Sequence, residues 1–379
     1  MDPAKPAREL PEKKKRPRVA TEAEILELDG REVRVTNPSK VFFPASGATK
    51  LDLVEYYLSV ADGVLRGSRD RPTTMYRWPN GVDAPDDAFY QKRLPDKGRP
   101  EWIESVIVRF PSGRQADMLV VADLAHLVWA INLGCIDLNP WPVRRTDVDH
   151  PDELRIDLDP TPEIDFADVR KVGVLAREVF DEYGLVGWPK TSGKRGLHVY
   201  VRIAAEWTFQ QVRRAALAFA REVERRAGDI ATTAWWKEER RGVFLDYNQN
   251  ARDRTIASAY SVRPFALAQV SCPLAWGEVP DVDPAEFTMT TVPTRIATSG
   301  DPHAGIDDAV CRLDSLLELA DRDEAGGLSD APWPPHFPKG ESEPARVAPS
   351  RAKKTTAKKT PAKKTTARKA SQGRKKSGS

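Results

Sequence analysis

The sequence predicts an α+β protein with strands and helices mixed in one catalytic body, and three patterns carry that reading. Leu154, Ile156 and Leu158 alternate with Arg155, Asp157 and Asp159, the period of a half-buried strand. Val169, Val172, Leu175, Val179 and Phe180 recur at helical spacing behind Asp165, which can open a helix that ends near Gly184. Thr208 followed by Gln211 makes a capping box ahead of Val212, Ala216, Phe219 and Val223, four positions on one helical face.

In chain order, residues 1–22 read as a flexible basic leader carrying Lys13-Lys14-Lys15-Arg16. A catalytic domain over 23–338 follows, with sub-regions of about 23–145 and 150–320. The first holds Val41-Phe42-Phe43-Pro44, a helix around Leu51 to Leu65, and short strands near Thr73 to Trp78 and Glu104 to Arg109. The second runs strand, helix, strand, helix, strand. In its middle strand Leu197, Val199, Val201 and Ile203 alternate with His198, Tyr200 and Arg202, giving a polar face. Val243-Phe244-Leu245 is a further apolar run that delivers Asp246. Pro332-Trp333-Pro334-Pro335 marks the end of the compact region.

Charge is unevenly placed. The 379 residues carry a net +3, yet residues 351–379 alone hold twelve Lys or Arg and no acid, which leaves −9 over residues 1–350. The tail, 339–379, is rich in Lys, Ala, Thr and Pro and has almost nothing to bury, so disorder is expected. Its clustered lysines suit a sequence-independent nucleic-acid tether, because binding releases phosphate counterions; a solubilising extension is the plainer reading. Cys135, Cys272 and Cys311 lie far apart and leave one unpaired under any disulfide scheme, which points to a reduced, cytoplasmic protein. No apolar run approaches the roughly 18 residues of a membrane span, and the N-terminus lacks an apolar signal core.

The chemistry centres on Asp157 and Asp159. Alternation puts both carboxylates on one strand face, where they can share a hard divalent cation of the kind that also takes substrate phosphates. Asp-x-Asp alone marks a solvated edge as readily as a site. Asp246, on a second strand, is the acid that can approach them, and three convergent carboxylates repel unless a cation neutralises them. Thr191-Ser192-Gly193-Lys194-Arg195-Gly196-Leu197-His198 offers backbone amides, a hydroxyl and two cations to a triphosphate. It lacks the GxxxxGK[ST] spacing of a Walker A loop, and a basic hairpin tip is its bland alternative. His198 falls on the polar face. Arg263 offers bidentate phosphate contacts, or a surface salt bridge.

In order, Asp-Leu-Asp-Pro, Ser-Gly-x-x-Gly-Leu-His-Val-Tyr and Leu-Asp-Tyr-Asn-Gln-Asn with a downstream Tyr-Ser-Val-Arg resemble the polymerase domain of bacterial ligase D and its stand-alone relatives, within the archaeo-eukaryotic primase superfamily. The likeness runs from about Val35 to Leu319 and includes Asn37-Pro38-Ser39-Lys40-Val41-Phe42-Phe43-Pro44, Arg77-Trp78-Pro79-Asn80-Gly81 and Phe89-Tyr90-Gln91-Lys92. With no ligase or nuclease module here, it is the free-standing form that is resembled. The resemblance implies two mainly antiparallel sheets flanked by helices with the active-site cleft between them. It implies template-directed, ribonucleotide-preferring nucleotidyl transfer on gapped or broken DNA with a 5′-phosphate, using NTP or dNTP and two Mn²⁺ or Mg²⁺ ions. Carried over, Asp157, Asp159 and Asp246 hold the metals, and Ser192, Arg195, Gly196, His198, Gln249 and Arg263 bind the nucleotide. Lys40 and Lys50 match residues that grip the 5′-phosphate, and Phe89 and Tyr90 match aromatics that stack on DNA. A separate DNA ligase and the end-binding protein Ku are the implied partners of a monomeric, nucleoid-associated protein. Two departures stand out: Tyr76 where relatives commonly carry Lys, and Asn139 where they often carry His, so altered sugar or nucleotide handling is expected there. The competing readings are a non-catalytic DNA-binding or end-bridging protein acting through the tail, and a metal-dependent nuclease sharing the carboxylates.

Overall fold

The computed structural model describes residues 22–334 and 336–337. The tail, and the leader before Glu22, lie outside the described residues. Strands β1 (Ala23–Leu28) and β2 (Arg31–Thr36) form a hairpin, and β3 (Val41–Phe43) with β4 (Ala48–Thr49) forms a second small one. The expected single helix around Leu51 to Leu65 is instead two, α1 (Lys50–Ser59) and α2 (Ala61–Ser68), because Val60 leaves helical geometry at φ −115°, ψ 21°. A capping box of Thr49 and Asp52 starts α1.

Two five-stranded sheets follow, both mainly antiparallel, as the resemblance implied. The first contains β5 (Pro72–Arg77), β6 (Phe89–Gln91), β7 (Ser105–Arg109) and β8 (Gln115–Val120) in the order β6-β5-β8-β7. After helix α3 (Leu124–Asn132), β9 (Cys135–Pro140) joins it by pairing with β5. The second sheet is built on β10 (Glu153–Pro160). Around it come α4 (Phe166–Glu182), β11 (Trp188–Thr191), β12 (Leu197–Arg202), α5 (Phe209–Ala227), β13 (Ala231–Thr232) and β14 (Val243–Leu245), in the order β11-β12-β10-β14-β13. Only β13 and β14 pair in parallel within it. Helices α6 (Val292–Ser299) and α7 (Asp314–Ala325) complete the described elements. Strand β11 was not expected; it is a sheet-edge strand, where Pro189 is tolerated.

Both helical caps read from the sequence form: Asp165 accepts from Ala167 N, and Thr208 and Gln211 close a capping box. Leu154, Ile156 and Leu158 share one buried core with Val169 and Val172 of α4 and Val212 and Phe219 of α5. The opposite face of this sheet is polar, as alternation predicts, but it is buried rather than wet. Tyr200 donates to Ala257 O at 2.9 Å, and Arg155 Nη1 donates to Pro140 O at 2.8 Å. At one end of this face Glu153, 1% exposed, meets Arg155 Nε at 2.7 Å, Arg71 Nη2 at 3.6 Å and the Arg202 guanidinium, all three arginines buried.

Glu153 is therefore the carboxylate shared by all three, with Asp152 on Arg71 and Asp307 on Arg202 beside it. Glu153→Gln is expected to cost roughly 3–5 kcal/mol in urea unfolding, since it strands buried charge; a loss near zero would show that the arginines are balanced by other groups.

Candidate active site

Strand register sets the three acids on two adjacent strands, Asp157 and Asp159 on β10 and Asp246 just after β14. In the antiparallel pairing of β14 with β10, Asp159 lies opposite Phe244 and Leu158 opposite Leu245, and the residue after Leu245, Asp246, donates its backbone N–H to Asp157 O at 2.9 Å. The Gln249 amide then bridges the two side chains, 3.3 Å from Asp157 Oδ2 and 3.2 Å from Asp246 Oδ2. Burial, reinforced by the charges of Asp246 and Asp159, pushes the Asp157 carboxyl well above its ordinary range. Burial likewise raises Asp246, against the pull of Asn248 N–H and of Arg240 and Arg254. Asp159 is exposed.

Asp157 and Asp159 line a cavity of about 580 Å³ that five cationic side chains, Lys194, Arg195, Lys237, Arg240 and Arg263, also line. The loop between β11 and β12 supplies Ser192, Arg195 and Gly196, and β12 supplies His198. Ser192 Oγ accepts from Gly196 N at 3.0 Å and Lys194 N at 3.2 Å, so the hydroxyl braces its own loop. Glycine is required at two points here. Gly193 sits at φ +69°, and a Cβ on it would come 2.4 Å from Arg263 Cγ; at Gly196 a Cβ would lie 2.5 Å from Leu158 O. Arg195 turns its guanidinium toward Pro162 O and Ile164 O, while Arg263 Nε lies 3.4 Å from Asp137 Oδ2.

Four contributors escaped the sequence reading. Lys237 and Arg240 line the cavity from the segment before β14, with Arg240 stacked 3.4 Å over the Phe244 ring. Asp137 of β9 is buried behind Arg263 and accepts from Ser261 Oγ at 3.0 Å. Lys190 of β11 is fully buried and lies 2.6 Å from His198 Nδ1. Lys190 and His198 are cross-strand partners, a pairing readable only once the glycine loop is recognised as a hairpin turn. Burial, and Arg263 and Arg155 nearby, draw the Lys190 amine down; burial and Lys190 do the same to His198.

The remaining expected residues lie in the first part of the chain. Lys40 Nζ donates to Pro79 O at 2.7 Å and Asn80 Oδ1 at 2.8 Å. Lys50, 5% exposed, donates to Thr36 O at 2.6 Å and Asn132 O at 3.2 Å. Burial, together with the charges of Lys40 and Arg77, brings the Lys50 amine down to about 8. Phe89 and Tyr90 are exposed aromatics, and Tyr90 stacks on Tyr76 with centroids 4.1 Å apart and rings within 7°. Asn139 is buried and donates to Asp137 O at 3.2 Å.

The donor set suits a hard divalent cation: carboxylate oxygens whose mutual repulsion the fold leaves largely uncompensated. Among the described residues, no three acidic, histidine or cysteine side chains stand grouped around one ion position. The Gln249 amide holds the place between Asp157 and Asp246 where positive charge is needed.

A family model described as "LigD, primase-polymerase domain" matches residues 49–303. The chain is 31% identical over 307 residues to the multifunctional non-homologous end joining DNA repair protein LigD of Mycobacterium tuberculosis, covering 76% of this chain and 38% of that protein. It is 30% identical over 273 residues to the bifunctional non-homologous end joining protein LigD of Bacillus subtilis, 71% of this chain and 43% of that one. The chain thus spans about two fifths of the length of these curated relatives. A solved structure of the polymerase domain from Mycobacterium tuberculosis ligase D in complex with DNA superposes with a TM-score of 0.67 at 30% identity, over 73% of this chain and 98% of that one.

The carboxylate cluster has a stability signature. A carboxyl whose pKa rises on folding binds protons more tightly when folded, so stability falls as pH climbs above its unfolded value, ordinarily 3.8. In metal-free buffer at pH 7, Asp157→Asn should raise Tm by about 2–4 °C, with the difference closing toward pH 4. A lower Tm for the variant at pH 7 would mean that the fold already compensates this charge.

Proposed function

The chain belongs to the LigD primase-polymerase family, and on that premise we propose that it is a template-directed nucleotidyltransferase, a DNA repair polymerase that prefers ribonucleotides and acts at gaps and breaks bearing a 5′-phosphate. The observation that carries this reading is geometric: Asp157, bridged by Gln249 to Asp246, and Asp159 line a cavity that Lys194, Arg195, Lys237, Arg240 and Arg263 also line. Anionic floor and cationic walls suit a triphosphate arriving with its metal. They suit a lone hydrolytic site less well.

Asp157, Asp159 and Asp246 would hold two Mn²⁺ or Mg²⁺ ions, which when bound acidify a 3′-hydroxyl and neutralise phosphate charge. With ions held there in place of the Gln249 bridge between Asp157 and Asp246, that amide would be left for the nucleotide. The Ser192 to Gly196 loop, already braced by its own hydrogen bonds, presents its surface without reorganising. His198 and Arg263 direct donors at the phosphates. Tyr90, supported by Tyr76 beneath it, is a stacking surface for DNA bases, and Lys40 with Lys50 and Arg77 forms the cationic seat for the 5′-phosphate. Filled ends still need sealing, so the proposed partners are a separate DNA ligase and Ku.

On gapped DNA, Asp157→Ala should retain DNA binding and lose extension by orders of magnitude; normal extension would dismiss the metal assignment. Comparing UTP with dTTP in the same assay tests the sugar preference. For the phosphate seat, an amine that ionises near 8 loses its charge as pH rises past that value. The affinity advantage of 5′-phosphorylated over 5′-hydroxyl gapped DNA should therefore shrink between pH 7 and pH 9. An advantage unchanged over that range would remove Lys50 from the seat.

A further inference from the structure

Three strands place Asp157, His198 and Lys190 in one row. His198 is the cross-strand partner of Asp157 on one side and of Lys190 on the other. His198 Nε2 lies 3.5 Å from Asp157 Oδ1, and its Nδ1 lies 2.6 Å from Lys190 Nζ. Lys190 is 0% exposed and does not line the cavity, so it touches nothing that enters there.

The hydrogen-bond count around Nζ decides which way the proton lies. Ala257 O, at 2.9 Å, can only accept. Ser271 Oγ, at 2.6 Å, has committed its own hydrogen to Thr191 O at 2.7 Å, so toward Lys190 it also accepts. His198 Nδ1 is the third group. An ammonium has three hydrogens for three acceptors. A neutral amine would have two, and would need His198 to donate from Nδ1. That would leave Nε2 a bare lone pair 3.5 Å from Asp157 Oδ1, an arrangement that repels whenever Asp157 is ionised. Burial and the charges of Arg263 and Arg155 work against the ammonium, Asp157 and Asp137 work for it, and the Tyr200 ring lies 4.9 Å from it; the three acceptors within hydrogen-bond distance are what favour it.

We propose that Lys190 is a positioning residue: its ammonium donates to His198 Nδ1 and thereby fixes the imidazole as the Nε2–H tautomer, presenting a donor to the cavity beside Asp157. Resting on the proposed function, that donor meets a phosphate oxygen of the incoming nucleoside triphosphate. In the opposite tautomer the same nitrogen would repel that anion.

The test reads the tautomer directly in the full chain without divalent cations. Histidine-selective ¹⁵N labelling and long-range ¹H–¹⁵N correlation distinguish the protonated from the unprotonated ring nitrogen, and His198→Gln identifies the resonance among the five histidines. The expected wild-type pattern has Nε2 protonated and Nδ1 bare, and Lys190→Met, similar in length but unable to donate, shifts it toward Nδ1–H. A protonated Nδ1 in the wild type overturns the proposal without any variant, and so does an unchanged pattern in Lys190→Met. In extension assays Lys190→Met should raise the nucleotide KM about tenfold while kcat changes less than about threefold. A drop in kcat at unchanged KM would mark Lys190 as merely structural. If the wild-type chain extends no primer, the polymerase reading fails while the spectra still score Lys190.

Discussion

Charge burial along one face of β10 is the constraint from which the rest of this structure follows. Glu153, Arg155, Asp157 and Asp159 alternate down a strand with neighbours on both sides, and their cross-strand partners on β12 include Arg202, Tyr200 and His198. A strand in that position cannot turn its polar face to water over its whole length. Each ionised group on it must find a counter-charge, a hydrogen-bond network or a ligand.

The two ends of the face meet that demand differently. At the Glu153 end the protein supplies its own partners: three buried arginines surround one carboxylate, and Asp152, held below the ordinary carboxylate range chiefly by Arg71 and Arg144 against its own burial, adds a second. At the Asp157 end the nearest donor is a neutral amide, and the nearest buried cation, Lys190, acts through His198. The first arrangement is closed and serves stability. The second is left short of positive charge, which costs stability and creates affinity for whatever brings it.

Legibility in the sequence followed range. Periods of 2 and 3.6 gave β10, β12, α4 and α5 and both helical caps, because those signals are local. The break at Val60 was invisible, since no glycine or proline marks it and the apolar spacing runs on through it. Strand β11 was missed because four residues containing Pro189 do not read as sheet. Within the candidate site, the placement of Asp157 and Asp159 on one strand and of Asp246 beside it was legible from strand patterning together with the order of motifs. Lys190 and Asp137 were not, because a buried lysine and a buried aspartate look like any surface charge until the pairing of β11 with β12 and of β9 with β5 is known.

Tyr76 has a physical consequence for Arg263. Tyr76 is the cross-strand partner of Asp137, so a lysine there would begin on the strand beside that buried carboxylate. The tyrosine instead extends to stack on Tyr90, and the neighbours of the Asp137 carboxylate include Ser261 Oγ at 3.0 Å and Arg263 Nε at 3.4 Å, with Lys190 and Asn139 also acting on it. Burial holds the Asp137 carboxyl above its ordinary range, and Arg263 is the strongest influence pulling it back. Arg263 therefore has two claims on it, the carboxylate behind and the cavity in front. A phosphate that recruits the guanidinium forward must do so against Asp137, which ties the strength of anion binding in this cavity to a residue that never lines it.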